Sequence, residues 1–313
     1  MKPDRAASMD GPPLTTRGSP GICAGRRRFL QSVAALASIP LVGVCEAGAL
    51  PWSAAIPGGF AVVDLGPDES APIVRFNGER VLVSGNRDGW FALIGIPLDS
   101  KPGLAPPVFI NRASGKSGLA YFTIAERRYD SESLMVKSGW VDLTETEAAR
   151  CEAERKHLEQ VLRIYSEPAP ASLLLAPPCR GNASSTFGLS RFFNGQPRNP
   201  HTGMDIAAPV DTSVVAAGHG QIIDIGEYFL LGRTVMINHG RGFMTLYAHL
   251  SEIAVKSRKR VKPGQSIGKV GITGRVTGPH LHFAVYLNTA AIDPRFFLPR
   301  NYRVAPPVSA IRI

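Results

Sequence analysis

His201-Thr202-Gly203-Met204-Asp205 and, further along, Gly278-Pro279-His280-Leu281-His282-Phe283 are the two stretches on which this chain turns. The second sets the local fold. Side chains on a strand alternate with a period of two, so His280 and His282 face one side while Leu281 and Phe283 face the other. The first stretch lies between Pro200 and Pro209, which favours a loop over a helix. Around them run β-prone segments: Val214 to Ala217, Gly220 to Ile225, Thr234 to Ile237, Phe243 to Tyr247 and Leu281 to Tyr286. Glycines at 218, 220, 226, 232, 240, 242, 264, 268, 271, 274 and 278 mark the turns between them. The pattern predicts an antiparallel β domain over 182–300, with a groove and almost no helix.

Six of the seven histidines fall between 201 and 282. A zinc hydrolase takes three protein ligands from His, Asp or Glu and keeps the fourth position open. An H-x-H pair or an H-x-x-x-D pair alone is weak evidence for such a site. The combination is stronger. His201-Thr202-Gly203-Met204-Asp205-Ile206-Ala207-Ala208-Pro209 is followed by His239-Gly240-Arg241-Gly242, then Thr245 to Leu250, then Gly271 to Phe283. In order and spacing this resembles the LytM/lysostaphin-type peptidoglycan metallopeptidases over roughly 185–297. One departure, Asp211-Thr212-Ser213-Val214 for the familiar G-T-P-V, lies away from the motif histidines.

The resemblance implies that His201, Asp205 and His282 bind one Zn2+ per chain, with His249 and His280 as unligated catalytic histidines. His280 is then the general base. His249 would either hydrogen-bond the developing oxyanion or protonate the leaving amine. His239 is expected to be structural and His219 to lie at the surface. Arg198 and Asn199, at the entry to the first ligand, are candidate substrate contacts. Tyr247 is expected in the core, with substrate or site contact as the lesser reading. The implied activity is hydrolysis of peptide bonds in peptidoglycan stem peptides or cross-links, D,D-endopeptidase-like. The alternative is a non-catalytic envelope regulator that activates wall amidases.

Upstream, residues 56–140 read as short strands broken by turns at Gly66-Pro67-Asp68, Asn77-Gly78, Arg87-Asp88-Gly89 and Lys101-Pro102-Gly103. A small immunoglobulin-like β-sandwich is expected there. Ser114-Gly115-Lys116-Ser117 ends like a phosphate-binding loop, but Ile110 stands where that loop needs glycine. Thr144 and Glu147 have capping-box spacing, and apolar residues recur from Ala148 to Tyr165, so a connecting helix is predicted over 144–166. Prolines 168, 170, 177 and 178 make the next stretch extended. The position of the first domain, before the helix, raises the expectation that it covers the groove.

Residues 1–49 read as an exported leader: Gly25-Arg26-Arg27-Arg28-Phe29-Leu30, an apolar run to Val44, and a cleavage-like Ala47-Gly48-Ala49. The arginine pair resembles the twin-arginine export signal. The apolar run is too short and interrupted for a stable membrane span, so the mature chain is expected in the periplasm or envelope. Removing the leader leaves Cys151 and Cys179, which could form a disulfide in an oxidising compartment. The formal net charge of +10 comes without a nucleic-acid-binding signature, so the expected partner is an anionic wall polymer, peptidoglycan, rather than nucleic acid. Oligomeric state is not legible.

Overall fold

The computed structural model describes residues 50–135, 143–300 and 302. The expected leader, its cleavage site and the end of the expected sandwich (136–140) lie outside them.

The first strands are β1 (Phe60–Gly66), β2 (Ile73–Phe76), β3 (Glu79–Arg80), β4 (Leu82–Asn86), β5 (Gly89–Gly95), β6 (Gly103–Leu104), β7 (Val108–Asn111), β8 (Ser117–Ala120) and β9 (Thr123–Ile124). They form one sheet in the order β1-β5-β4 and another in the order β3-β2-β7-β8, with β6 and β9 as a separate pair. Every pairing is antiparallel. Val83, Ala92 and Ile94 of the first sheet meet Val74, Phe76 and Val108 of the second in one core. That is a small sandwich, as its alternating runs predict.

β10 (Ser131–Leu134) leaves this unit. It pairs in parallel with β12 (Ser190–Phe193), not with the sandwich strands before it. The helix α1 follows, Glu145–Leu162. Its capping box is complete: the Thr144 side chain accepts from the Glu147 N–H, and the Glu147 carboxylate accepts from the Thr144 N–H.

The remaining strands are β11 (Asn182–Ser185), β13 (Gln196–Pro197), β14 (Met204–Ala207), β15 (Ser213–Val215), β16 (Gly220–Tyr228), β17 (Gly232–Gly240), β18 (Phe243–Ile253), β19 (Arg260–Val261), β20 (Ser266–Val270), β21 (His280–Leu287) and β22 (Ala290–Ile292). The main sheet runs β11-β14-β21-β18-β17-β16-β19, with β15, β20 and β22 attached. Both of its faces are covered. On one face Met204, Ile206, Val235, Tyr247, Phe283 and Leu287 join a large core. On the other, Met236, Leu246, Ala248 and Ala284 pack against Leu158, Val161 and Leu162 of α1. Alternation dictates the split, because odd and even positions of β18 and β21 go to opposite sides.

The sandwich docks on the first face. Phe60, Leu82 and Leu93 belong to the same core as Phe243, Leu287, Ile292 and Phe297. Gly95 donates its N–H to Asn288 Oδ1 at 2.7 Å, and Asn288 Nδ2 donates back to the Gly95 carbonyl at 3.2 Å. A Cβ at Gly95 would lie 2.6 Å from the Leu287 oxygen, so no larger residue permits this approach. Strand β5 is therefore buried on both sides, Ala92 and Ile94 toward the sandwich core and Leu93 toward the main sheet.

The expected disulfide is absent: Cys179 is buried, Cys151 sits half-buried on α1, and both are free thiols. Burial raises both thiols, Cys179 to about 12, so neither is poised to ionise. No helix among the described residues is long and apolar enough to cross a membrane.

Candidate metal centre

Strand register brings the site together. In the β14–β21 pair, Asp205 stands directly opposite His282 and Ala207 opposite His280. His280 and His282 share a face, and that face is the one carrying α1, opposite the docked sandwich. His201 arrives from the loop before β14, tied by its N–H to the Leu189 carbonyl at 3.0 Å. Gly203 lets the His282 ring lie against the loop. A Cβ there would be 2.7 Å from His282 Cε1 and 2.6 Å from the Phe283 oxygen.

Three donor atoms converge. His201 Nε2, Asp205 Oδ1 and His282 Nδ1 are 3.0 Å apart in each pair. A triangle with 3.0 Å sides has its corners about 1.7 Å from the centre (3.0/√3). Zinc would reach nitrogen or carboxylate oxygen at roughly 2.0–2.2 Å, so the spacing of these three atoms fits a single ion that His201, Asp205 and His282 would hold together. The His201 Nδ1–H donates to the Thr186 carbonyl at 3.0 Å, which leaves Nε2 as a lone pair facing the other two groups. All three residues are buried. Two imidazoles and a carboxylate aimed at one point, with little water among them, suit a divalent cation.

The charges agree. Burial alone would raise the Asp205 carboxyl, but the His201 and His282 rings outweigh it and hold it well below the usual carboxylate range. Burial lowers His282, against the opposing pull of Asp205. His282 is thereby favoured as a neutral ligand beside an ionised carboxylate.

Two more rings face this triangle. The His280 Nδ1–H donates to the Gly278 carbonyl at 2.9 Å, and its Nε2 stands 3.8 Å from Asp205 Oδ1. The His249 Nδ1–H donates to the Thr273 carbonyl at 2.9 Å. The His249 and His280 ring centroids are 4.8 Å apart. Burial, reinforced by the neighbouring His282 and His280, pushes His249 down to about 3, so it is neutral. Its backbone is left-handed, with φ +63°. Continued alternation along β18 would send His249 to the side of Tyr247; the left-handed turn coincides with its arrival in the groove.

The groove holds about 600 Å³ and contains His201, Asp205, His249, His280, His282 and Asn199. Residues that motif reading missed complete its walls: Leu230 and Leu231 at the β16–β17 tip, Arg275 to Thr277 before β21, and Glu132 from β10. Arg275 was available as a signal, inside the Gly271–Phe283 motif. Burial lowers Arg275, and the nearby Arg198 charge lowers it further. Among the described residues the sandwich strands from 60 to 124 lie on the opposite face of the sheet, and of the expected first domain (56–140) Glu132 of β10 reaches the groove.

Of the expected substrate contacts, Asn199 lines the groove, while Arg198 is not among its lining residues and places Nη2 on Gln196 Oε1 at 3.2 Å. Tyr247 sits in the core, as first expected, and its lesser reading as a substrate contact is corrected. It is fully buried on the far face, where its hydroxyl accepts from the Ala217 N–H at 2.9 Å and from Thr245 Oγ1 at 3.1 Å. His239 is structural as expected, held between the His219 carbonyl (2.7 Å) and Thr245 Oγ1 (2.8 Å). His157 lies on α1 and meets Asp224 Oδ1 at 2.9 Å, away from the groove.

Comparison with known proteins now bears on this geometry. Residues 199–294 match the profile of Peptidase family M23, and residues 53–124 match the Peptidase family M23 N-terminal domain. A Pseudomonas aeruginosa structure described as an M23 peptidase is 36% identical, with 77% of this chain and 94% of that one covered at a TM-score of 0.66.

The chain belongs to peptidase family M23.

Within that family, the M23 segment is 48% identical over 94 residues to peptidoglycan DD-endopeptidase ShyA of Vibrio cholerae, covering 30% of this chain and 22% of that one. It is 46% identical over 94 residues to DD-carboxypeptidase/endopeptidase Mpg of Neisseria meningitidis, again 30% and 22%. Cell division protein DipM of Caulobacter vibrioides is 40% identical over 153 residues, 45% of this chain and 24% of that one. These matches span about a quarter or less of the relatives' own length. The M23 match covers Asp205 and the groove histidines 201, 249, 280 and 282, and the N-terminal match covers the sandwich, while α1 falls outside both.

Proposed function

We propose that this M23 chain is a zinc endopeptidase that hydrolyses peptide bonds in peptidoglycan stem peptides or cross-links, D,D-endopeptidase-like, in the cell envelope. The observation that carries the proposal is the His201–Asp205–His282 triangle, open to a groove into which two further imidazoles turn. The substrate class is supported by the printed names of ShyA and Mpg. The envelope location rests on that substrate and on the leader expected at residues 1–49. The complete ligand set, with both extra histidines, favours a catalyst over a regulator of amidases.

His201, Asp205 and His282 hold the metal. When bound, zinc polarises the scissile carbonyl and acidifies water. The chain's own residues do the rest. His280, its Nδ1–H committed to Gly278, offers Nε2 to take the proton that the attacking water gives up, and then passes it to the leaving amine. His249, neutral and committed through Nδ1–H to Thr273, offers a lone pair at Nε2. A lone pair aligns the attacking water; it neither donates to an oxyanion nor protonates an amine, so this reading replaces both roles expected from the sequence. Asn199 is placed to touch the bound peptide.

The experiment is digestion of purified sacculi with identification of the released muropeptides, beside metal analysis. His201→Ala and Asp205→Ala should lose both zinc and turnover. His280→Ala should keep stoichiometric zinc and lose turnover by about 10²- to 10⁴-fold, the range of general base catalysis. A His280→Ala protein that digested sacculi at the normal rate would sink the assignment.

A further inference from the structure

Catalytic His249 holds a left-handed backbone, φ +63°, that a non-glycine residue adopts only when its surroundings enforce it. Two contacts enforce it here. The His249 N–H donates to the Leu231 carbonyl at 2.9 Å, and its ring donates to the Thr273 carbonyl. Leu231 lies in the three-residue loop 229–231 that joins β16 to β17. The same loop holds the segment before β21, since the Arg275 N–H donates to the Leu230 carbonyl at 3.0 Å. The two loops interlock closely: a Cβ at Gly232 would lie 2.4 Å from the Thr273 backbone, and one at Gly274 would lie 2.6 Å from the Leu230 oxygen.

Something must fix this loop, and it is α1. Glu154 Oε2 accepts the Phe229 N–H at 2.8 Å. Arg150 bonds Glu154 Oε1 at 2.7 Å through Nε and the Glu227 carbonyl at 3.0 Å through Nη2, so one side chain aligns the carboxylate and grips the end of β16 that leads into the loop. Leu231 packs with Leu158, Val161 and Leu162 of the helix. Two turns of α1 thus hold both backbone polarities of the hairpin tip, with charge-assisted bonds.

We infer that Glu154, on a helix outside both family-matched segments, is a positioning residue for the M23 site: by holding the 229–231 loop it keeps His249 and Arg275 in their groove-facing positions. The activity readout rests on the peptidase reading above; the structural readout does not.

The test uses the full zinc-loaded chain with Glu154→Ala and Glu154→Gln, and follows amide hydrogen exchange residue by residue together with kcat, KM and zinc content. Loss of a charge-assisted acceptor should speed exchange at Phe229, His249 and Arg275 by about tenfold and leave Thr245 and Tyr247 unchanged. On muropeptides kcat should fall by about the same factor at unchanged zinc content, the loss falling on kcat and not on KM. Glu154→Gln keeps a carbonyl oxygen for Phe229, so it should return both readouts to within about twofold of the parent. Unchanged exchange at His249 in Glu154→Ala, or a glutamine variant as impaired as the alanine one, overturns the inference. Arg150→Met is a milder second variant that releases Glu154 and Glu227 together; faster exchange at His249 supports the brace, and unchanged exchange overturns it. If the parent chain digests no sacculi, the peptidase reading fails, while exchange still decides the brace.

Discussion

Gly203 carries more of the metal centre than its size suggests. It is a glycine because the His282 ring and the Phe283 carbonyl occupy the volume a Cβ needs. Gly203→Ala should therefore displace a ligand ring and weaken zinc binding by about 10- to 100-fold while leaving the sheet intact, as chelator competition would measure. His239 offers a second test at this scale. Burial holds its pKa at about 4, against an ordinary 6.5. The unfolded chain takes up the proton first, so His239 stability is complete above pH 6.5 and drains away as pH falls toward 4. The full loss is roughly 3–4 kcal/mol, from a fall of 6.5 to about 4 at about 1.4 kcal/mol per pH unit. Denaturation of zinc-saturated protein across this range should show a steeper acid loss in the parent than in His239→Gln, by up to one proton. Equal slopes would remove the assignment.

At the scale of elements, α1 is short on apolar surface and relies on its ends. Thr144→Ala removes one half of the capping box and should cost about 1 kcal/mol, readable as a lower denaturation midpoint with unchanged cooperativity. The helix and its cap were legible because capping boxes are local. The face shared by His280 and His282 was legible too, since H-x-H on a strand fixes a face; the register that sets Asp205 against His282 was not, because the stretch between Pro200 and Pro209 read as a loop and Met204–Ala207 is a strand. Tyr247 was half legible: its spacing from His249 suggests a shared face, and only the left-handed residue at 249 separates them. The brace from Glu154 to Phe229 spans 75 residues and left no trace in any periodicity. Glu132 reached the groove through a parallel pairing with β12 that no hairpin signal announces.

For the whole molecule, the first domain proved legible as a sandwich and illegible as a neighbour. The run Ala92-Leu93-Ile94 is apolar at three successive positions, the mark of a strand buried on both faces, and its second face belongs to the peptidase sheet. A chain beginning at Ser172 should therefore expose Phe243, Leu287, Ile292 and Phe297, and be markedly less stable than the full protein by calorimetry. Leu93→Ala should destabilise the complete chain by about 2–5 kcal/mol in a single transition. Two separate transitions would mean that the halves melt independently.

Gly95 and Asn288 hold each other across that seam by a reciprocal pair of bonds between the Gly95 backbone and the Asn288 side-chain amide. Anyone exchanging catalytic modules between relatives of this chain would have to transplant the β4–β5 hairpin together with the β21–β22 turn. A cut at the linker alone would divide one hydrophobic interior into two incomplete ones.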